Sequence, residues 1–187
     1  TNSGSLKKVF ILGASRSGKS SLEKLLLKNP KVVSLYEAAK TKIISPNIQT
    51  KFDAGKGISF DDLFFVSQEK LKKQGYEIVV STNPKFIQIL PNIYKGTRDC
   101  FFIFINRELF SNASEIFIRE YENGHYYSYD ASATIQEINA YNDLAAFFQE
   151  KLPENSITLS FSDIVNLPEK TVSKVGKLIG THFEIKN

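Results

Sequence analysis

The sequence predicts an α/β fold in three layers, a parallel sheet flanked by helices with a phosphate-binding loop at one edge. Three observations predict it. Short apolar runs rich in β-branched and aromatic residues alternate along the chain with stretches of helical period. The first run passes straight into a glycine-bracketed turn, reading V-F-I-L-G-A-S-R-S-G-K-S from Val9 to Ser20. That turn opens a helical pattern carrying Leu22, Leu25 and Leu26.

Strands are expected at Val9–Leu12, Val32–Leu35, Glu77–Ser81, Cys100–Asn106 and Ile157–Phe161. They are apolar and β-branched or aromatic, as strands buried on both faces should be. Between them, Ser59 followed by Asp62 resembles a helix-start cap, with Phe60, Leu63, Phe64 and Leu71 at helical spacing. Thr134 to Leu152 places Ile135, Ile138, Tyr141, Leu144, Ala145, Phe148 and Leu152 on one stripe, which Pro153 stops. A last helix starts near Pro168, turns Val172, Val175 and Leu178 inward, and ends at Gly180. The polar, glycine-containing stretch Ser45–Gly57 is expected to be the most mobile loop.

A length of 187 residues suits one domain, expected over 6–187, with residues 1–5 as a flexible leader. The net charge of +4 suits an anionic small ligand, but no basic block suggests a nucleic-acid track. Cys100 is the single cysteine, so no internal disulfide can form and a reducing, cytoplasmic setting is expected. It precedes an apolar run and reads as core. The longest apolar run, Cys100 to Ile105, is far too short to span a bilayer.

The loop carries the chemistry. Its residues satisfy the nucleotide-binding pattern G-x-x-x-x-G-K-[ST]. Backbone amides curling around an anion at a helix N-terminus bind it with hydrogen bonds and a favourable dipole. A nucleoside-triphosphate enzyme also needs Mg²⁺, normally held by the loop Ser/Thr and an acidic residue ending a second apolar strand. Here the candidate strands end in Ser81-Thr82-Asn83 and Asn106-Arg107, with no carboxylate at either tip. Glu108 follows behind the arginine, and Asp163 opens a turn and helix where N-capping is the simpler role. No metal site is expected; His125 and His182 are too few and too separated to form one.

Ligands of open parallel sheets sit outside the carboxyl ends of the strands. The loop at Gly13 and Arg107 would share that edge. One phosphate on the loop and a second on Arg107 fits a nucleotide phosphorylated at two places, with Ser111 and Ser114 assisting. An ion-pair or capping role is the alternative for Arg107.

These stretches together resemble the sulfotransferases that use 3′-phosphoadenosine-5′-phosphosulfate (PAPS). The likeness is closest to bacterial members linked to tetratricopeptide repeats and more distant to protein-tyrosine sulfotransferases. Phe10 to Gly18, with Leu22 and Leu26, resembles the strand and 5′-phosphosulfate loop G-x-P-R-S-G-T-[ST]. Asn29-Pro30-Lys31-Val32 with Glu37 resembles H-P-x-V followed by a glutamate. Phe102 to Arg107 resembles the 3′-phosphate strand. Gly124 to Asp130 resembles G-H-x-Y-x-Y-D, and Phe161 to Glu169 resembles Y-E-D-L-V-x-x-P-E.

The resemblance implies a metal-independent sulfuryl transfer to a hydroxyl on a saccharide or small metabolite, leaving adenosine 3′,5′-bisphosphate (PAP). It implies that Arg16, Ser17, Gly18, Lys19 and Ser20 bind the 5′-phosphate, with Arg16 also stabilising the leaving oxygen. It gives the 3′-phosphate to Arg107 and the general-base role to Glu37, for which a solvated helix-start glutamate beside Lys40 and Lys42 is the alternative. His125, among Tyr126, Tyr127 and Tyr129, would touch acceptor or cofactor, or tie a loop to the core. The chain departs from the pattern at several positions, and at one of them Lys19 stands where the family has threonine, adding a cation beside the same phosphate. Ser15 replaces the loop proline, and Thr82 stands where many relatives carry a base. Glu115 stands where the family has the serine that assists the 3′-phosphate. A carboxylate there repels a phosphate; a shift of one residue would bring Ser114 into place. A kinase using Mg-ATP and a catalytically silent binding protein are the alternatives.

Overall fold

Five parallel strands form one sheet in the computed structural model, which describes residues 5–36, 46–119 and 126–183. The strands are β1 (Lys7–Leu12), β2 (Val32–Ser34), β3 (Ile78–Ser81), β4 (Cys100–Asn106) and β5 (Ser156–Ser160). The helices are α1 (Lys19–Leu26), α2 (Pro46–Asp53), α3 (Phe60–Leu63), α4 (Gln68–Lys73) and α5 (Leu90–Gly96), followed by α6 (Leu109–Phe117), α7 (Ala131–Lys151), α8 (Phe161–Asn166) and α9 (Pro168–Ile179). A 3₁₀ turn covers Pro84–Ile89.

Alternation along β1 makes the three layers. Phe10 and Leu12 point into one core with Phe102, Phe104, Phe86, Leu90 and Phe148. Val9 and Ile11 point into the other with Ile103, Ile105, Leu22, Leu26, Val172 and Val175. Each central strand is therefore buried on both faces, which is why the runs Val9–Leu12, Ile78–Val80 and Cys100–Ile105 are apolar throughout. Phe10 stacks on Phe102 at 5.5 Å and meets Phe86 edge-on at 5.6 Å, fixing the centre of the first core.

The strands lie in the order β2-β3-β1-β4-β5. The connection leaving β1 runs toward β2 on one side, and the one leaving β4 runs toward β5 on the other. The carboxyl ends of β1 and β4 thus flank the switch point where open α/β sheets bind ligands. Leu12 pairs with Phe104, so the loop after β1 begins beside Ile105, two residues before Arg107.

Several boundaries differ from the sequence expectation for local reasons. Ser45–Gly57 is not all loop: Pro46, well suited to a first helical position, starts α2, and Ile48 is fully buried. The Ser59–Asp62 capping box forms, but the helical pattern behind it divides. Phe64 turns extended (φ −124°, ψ 151°), and Ser67 caps a second helix, α4. Ser160, not Asp163, caps α8 by accepting the Asp163 amide at 2.9 Å, which moves Phe161 from the strand into the helix. Asp163 instead receives the Lys174 ammonium at 3.2 Å. Leu144 lies at the exposed margin of the α7 stripe. Cys100 is buried, and burial pushes its thiol up to about 11, so it stays protonated near neutrality. No helix among the described residues is long and apolar enough to cross a membrane.

Candidate functional site

The loop between β1 and α1 is built by two left-handed residues, Arg16 (φ 59°) and Gly18 (φ 109°). The Ser17 amide closes a turn onto the Ala14 carbonyl at 3.2 Å. The ladder of α1 starts with Ser21 and Leu22, both bonding the Gly18 carbonyl. The amides of Gly18, Lys19 and Ser20 therefore stand at the N-terminus of α1, where an anion is favoured. Gly13 must be glycine for a different reason. A Cβ there would lie 2.3 Å from Ser17 Oγ and 3.0 Å from the Ile105 carbonyl oxygen. Ser17 Oγ is itself buried with no hydrogen-bond partner among the described residues. The hydroxyl is therefore enclosed behind the loop, at the cost that an unmade buried hydrogen bond carries.

Lys19 does not extend from the loop. Its ammonium is buried and donates to the carbonyls of Gly13 (2.8 Å) and Ala14 (2.9 Å), drawing the loop closed on itself. Arg16 and Ser20 are exposed at the mouth of the loop.

Arg107 reaches this loop from the end of β4. Its Nη1 donates to the Arg16 carbonyl at 3.1 Å, and its Nε donates to Ser111 Oγ at 3.1 Å. Its Nη2 lies 3.4 Å from Glu115 Oε1. The guanidinium carbon stands 4.4 Å above the Phe161 ring. Phe161 in turn packs on Gly18, since a Cβ there would come within 2.3 Å of its Cδ2. Loop, arginine and aromatic ring therefore form one contiguous unit. Ser111 and Glu115, four residues apart on one face of α6, contact the arginine. Ser114 is exposed on α6, and Glu115 rather than Ser114 contacts Arg107.

Two latches that the sequence did not disclose hold the loop from behind. Tyr141 Oη accepts the Gly13 amide at 3.1 Å and donates to the Pro84 carbonyl at 3.3 Å. Burial pushes its phenol above the ordinary range, so it remains a neutral donor. Buried Asn112 donates from Nδ2 to the Ser15 carbonyl at 2.8 Å. The signal available was a tyrosine and an asparagine on otherwise core-facing helix positions, where a polar atom must find a partner. Tyr141→Phe keeps the ring but strands the Gly13 amide. It is expected to lower unfolding free energy by about 1–3 kcal/mol in urea titration.

The remaining sequence candidates fall as follows. Glu37 and His125 lie outside the described residues. Thr82 follows β3, with its amide on the Tyr36 carbonyl at 3.1 Å and its buried hydroxyl unpartnered among the described residues. Glu108 caps α6 by accepting the amides of Phe110 and Ser111, and these bonds hold its carboxyl below the usual range. Both carboxylates near the strand tips, Glu108 and Asp163, thus have contacts of their own. No group of three or more His, Cys, Asp or Glu residues arranged to hold a metal ion occurs among the described residues.

No protein-family model matches the chain. No curated protein matches it in sequence. Solved structures do match in shape. A sulfotransferase domain from the curacin biosynthetic pathway aligns with a TM-score of 0.62 at 16% identity, covering 96% of this chain and 75% of that one. A sulfotransferase from Alicyclobacillus acidocaldarius aligns with a TM-score of 0.56 at 16% identity, covering 96% and 84%. Mouse sulfotransferase SULT7A1, complexed with PAP, aligns with a TM-score of 0.52 at 14% identity, covering 95% of this chain and 59% of its own. Identities this low speak for architecture rather than for activity, and by architecture the chain has the sulfotransferase fold.

Proposed function

We propose that the chain is a sulfotransferase that moves a sulfuryl group from PAPS to a hydroxyl acceptor without a metal. The observation that carries this reading is the Arg107 guanidinium at the mouth of the phosphate loop, 3.1 Å from the Arg16 carbonyl. Two anion-binding groups at one sheet edge suit a donor phosphorylated at both its 5′ and 3′ positions.

In this reading the amides at the start of α1 take the 5′-phosphate, with the Ser17 and Ser20 hydroxyls as further donors. Arg107 takes the 3′-phosphate. The acceptor oxygen attacks sulfur in line, the bond from sulfur to the 5′-phosphate oxygen breaks, and PAP leaves. Negative charge grows on that bridging oxygen, where exposed Arg16 and the fixed loop amides can stabilise it. The acceptor proton passes to a base, a role the family resemblance gives to Glu37. Lys19 contributes by holding the loop in shape through Gly13 and Ala14. The acceptor is proposed as a saccharide or small metabolite.

The test is protection against thermal unfolding. PAP in magnesium-free buffer is expected to raise the melting temperature, with ATP or GTP giving less. Protection by ATP or GTP only with magnesium would instead favour a kinase. Protection by no nucleotide would leave a silent binding module and reject the donor assignment.

A further inference from the structure

Arg107 already has an anion. Among the described residues, Glu115 is the charged hydrogen-bonding partner of Arg107, the others being Ser111 Oγ and the Arg16 carbonyl. The Arg107 side chain is largely buried (15% exposed), whereas Glu115 is far more open (43%). The Glu115 contact is also the longest of the three, at 3.4 Å against 3.1 Å for each of the others. Ser111, the Arg16 carbonyl and the Phe161 ring hold the guanidinium at the loop independently of Glu115. The carboxylate can therefore swing into solvent without the arginine losing its aim.

We propose that Glu115 is an internal counter-anion of this second anion site. It neutralises Arg107 when the site is empty and is displaced by an incoming phosphate. It thereby determines how much that second phosphate adds to nucleotide affinity. The inference rests on the reading that Arg107 receives the 3′-phosphate, and it deepens that reading by naming the residue that sets donor selectivity. Its physical content is competition. A phosphate reaching Arg107 must replace an existing charge interaction and then sit close to a displaced carboxylate of the same sign. An ion pair with only a stabilising role would leave nucleotide selectivity untouched.

The test is magnesium-free calorimetric titration of the full chain with PAP and with adenosine 5′-monophosphate, before and after Glu115→Gln. Glutamine keeps the size and the hydrogen-bonding reach while removing the charge. The expected result is about tenfold tighter PAP binding with 5′-monophosphate changed by less than about twofold, because only PAP places charge beside position 115. In an Arg107→Ala background the same substitution is expected to change PAP affinity by less than about twofold, since the shared partner is gone. Equal tightening of both nucleotides, or no change in either, overturns the inference while leaving the donor reading intact. Binding of neither nucleotide by either protein overturns both.

Discussion

Gly18→Ala is expected to destabilise the chain by about 2–5 kcal/mol, measured by urea unfolding, through backbone strain and overpacking together. Both causes are local. The backbone holds φ at 109°, a conformation that L residues rarely adopt. A Cβ would also lie 2.3 Å from Phe161 Cδ2 and 3.0 Å from Cε2. The ring cannot yield without consequence, because Arg107 stands on it at 4.4 Å. The two causes can be separated. Adding Phe161→Leu is expected to recover the packing share and leave the backbone share. Full recovery would show that the positive φ costs little, and no recovery would show that the ring contact is irrelevant. Surviving Gly18→Ala protein should also bind PAP more weakly, since a displaced ring removes one support of Arg107.

Arg107→Ala is expected to weaken PAP binding by about 1.5–3 kcal/mol, the range for a hydrogen bond to a charged group. Binding of adenosine 5′-monophosphate should change by less than about 0.5 kcal/mol, the ordinary size of a surface effect. Arg107→Lys keeps the charge but loses the planar fork that reaches the Arg16 carbonyl and Ser111 together, so it should fall between the two. Calorimetric titration reads all three. Equal loss for both nucleotides would mean that Arg107 supports the loop rather than a second phosphate.

Much of the architecture was legible because it follows from burial. The strands β1, β3 and β4 are apolar at nearly every position, and chains buried on both faces leave that mark. The glycines of the loop were legible as a pattern, and their reasons became visible only in space: Gly13 by Ser17 and Ile105, Gly18 by Phe161. The sequence also placed Arg107 at the right edge, because it follows directly from a central strand. It could not show what the arginine touches. Glu115 looked like an obstacle to a phosphate, and the fold makes it the arginine's ion-pair partner. Lys19 fitted a phosphate-binding pattern, and its ammonium bonds to the Gly13 and Ala14 carbonyls could be seen only in space. Tyr141 passed as core because its position on the stripe says nothing about where its hydroxyl goes. The split between α3 and α4 was hidden because Ser67 competes locally with a helical pattern that spans it.

The measurement that bears most directly on the central claim is a crystal structure of the chain with PAP bound. The 5′-phosphate is expected within hydrogen-bond distance of the Gly18–Ser20 amides, and the 3′-phosphate on the Arg107 guanidinium, with the Glu115 carboxylate moved off it. A bisphosphate seated elsewhere, or one whose 3′-phosphate lies away from Arg107, would contradict it.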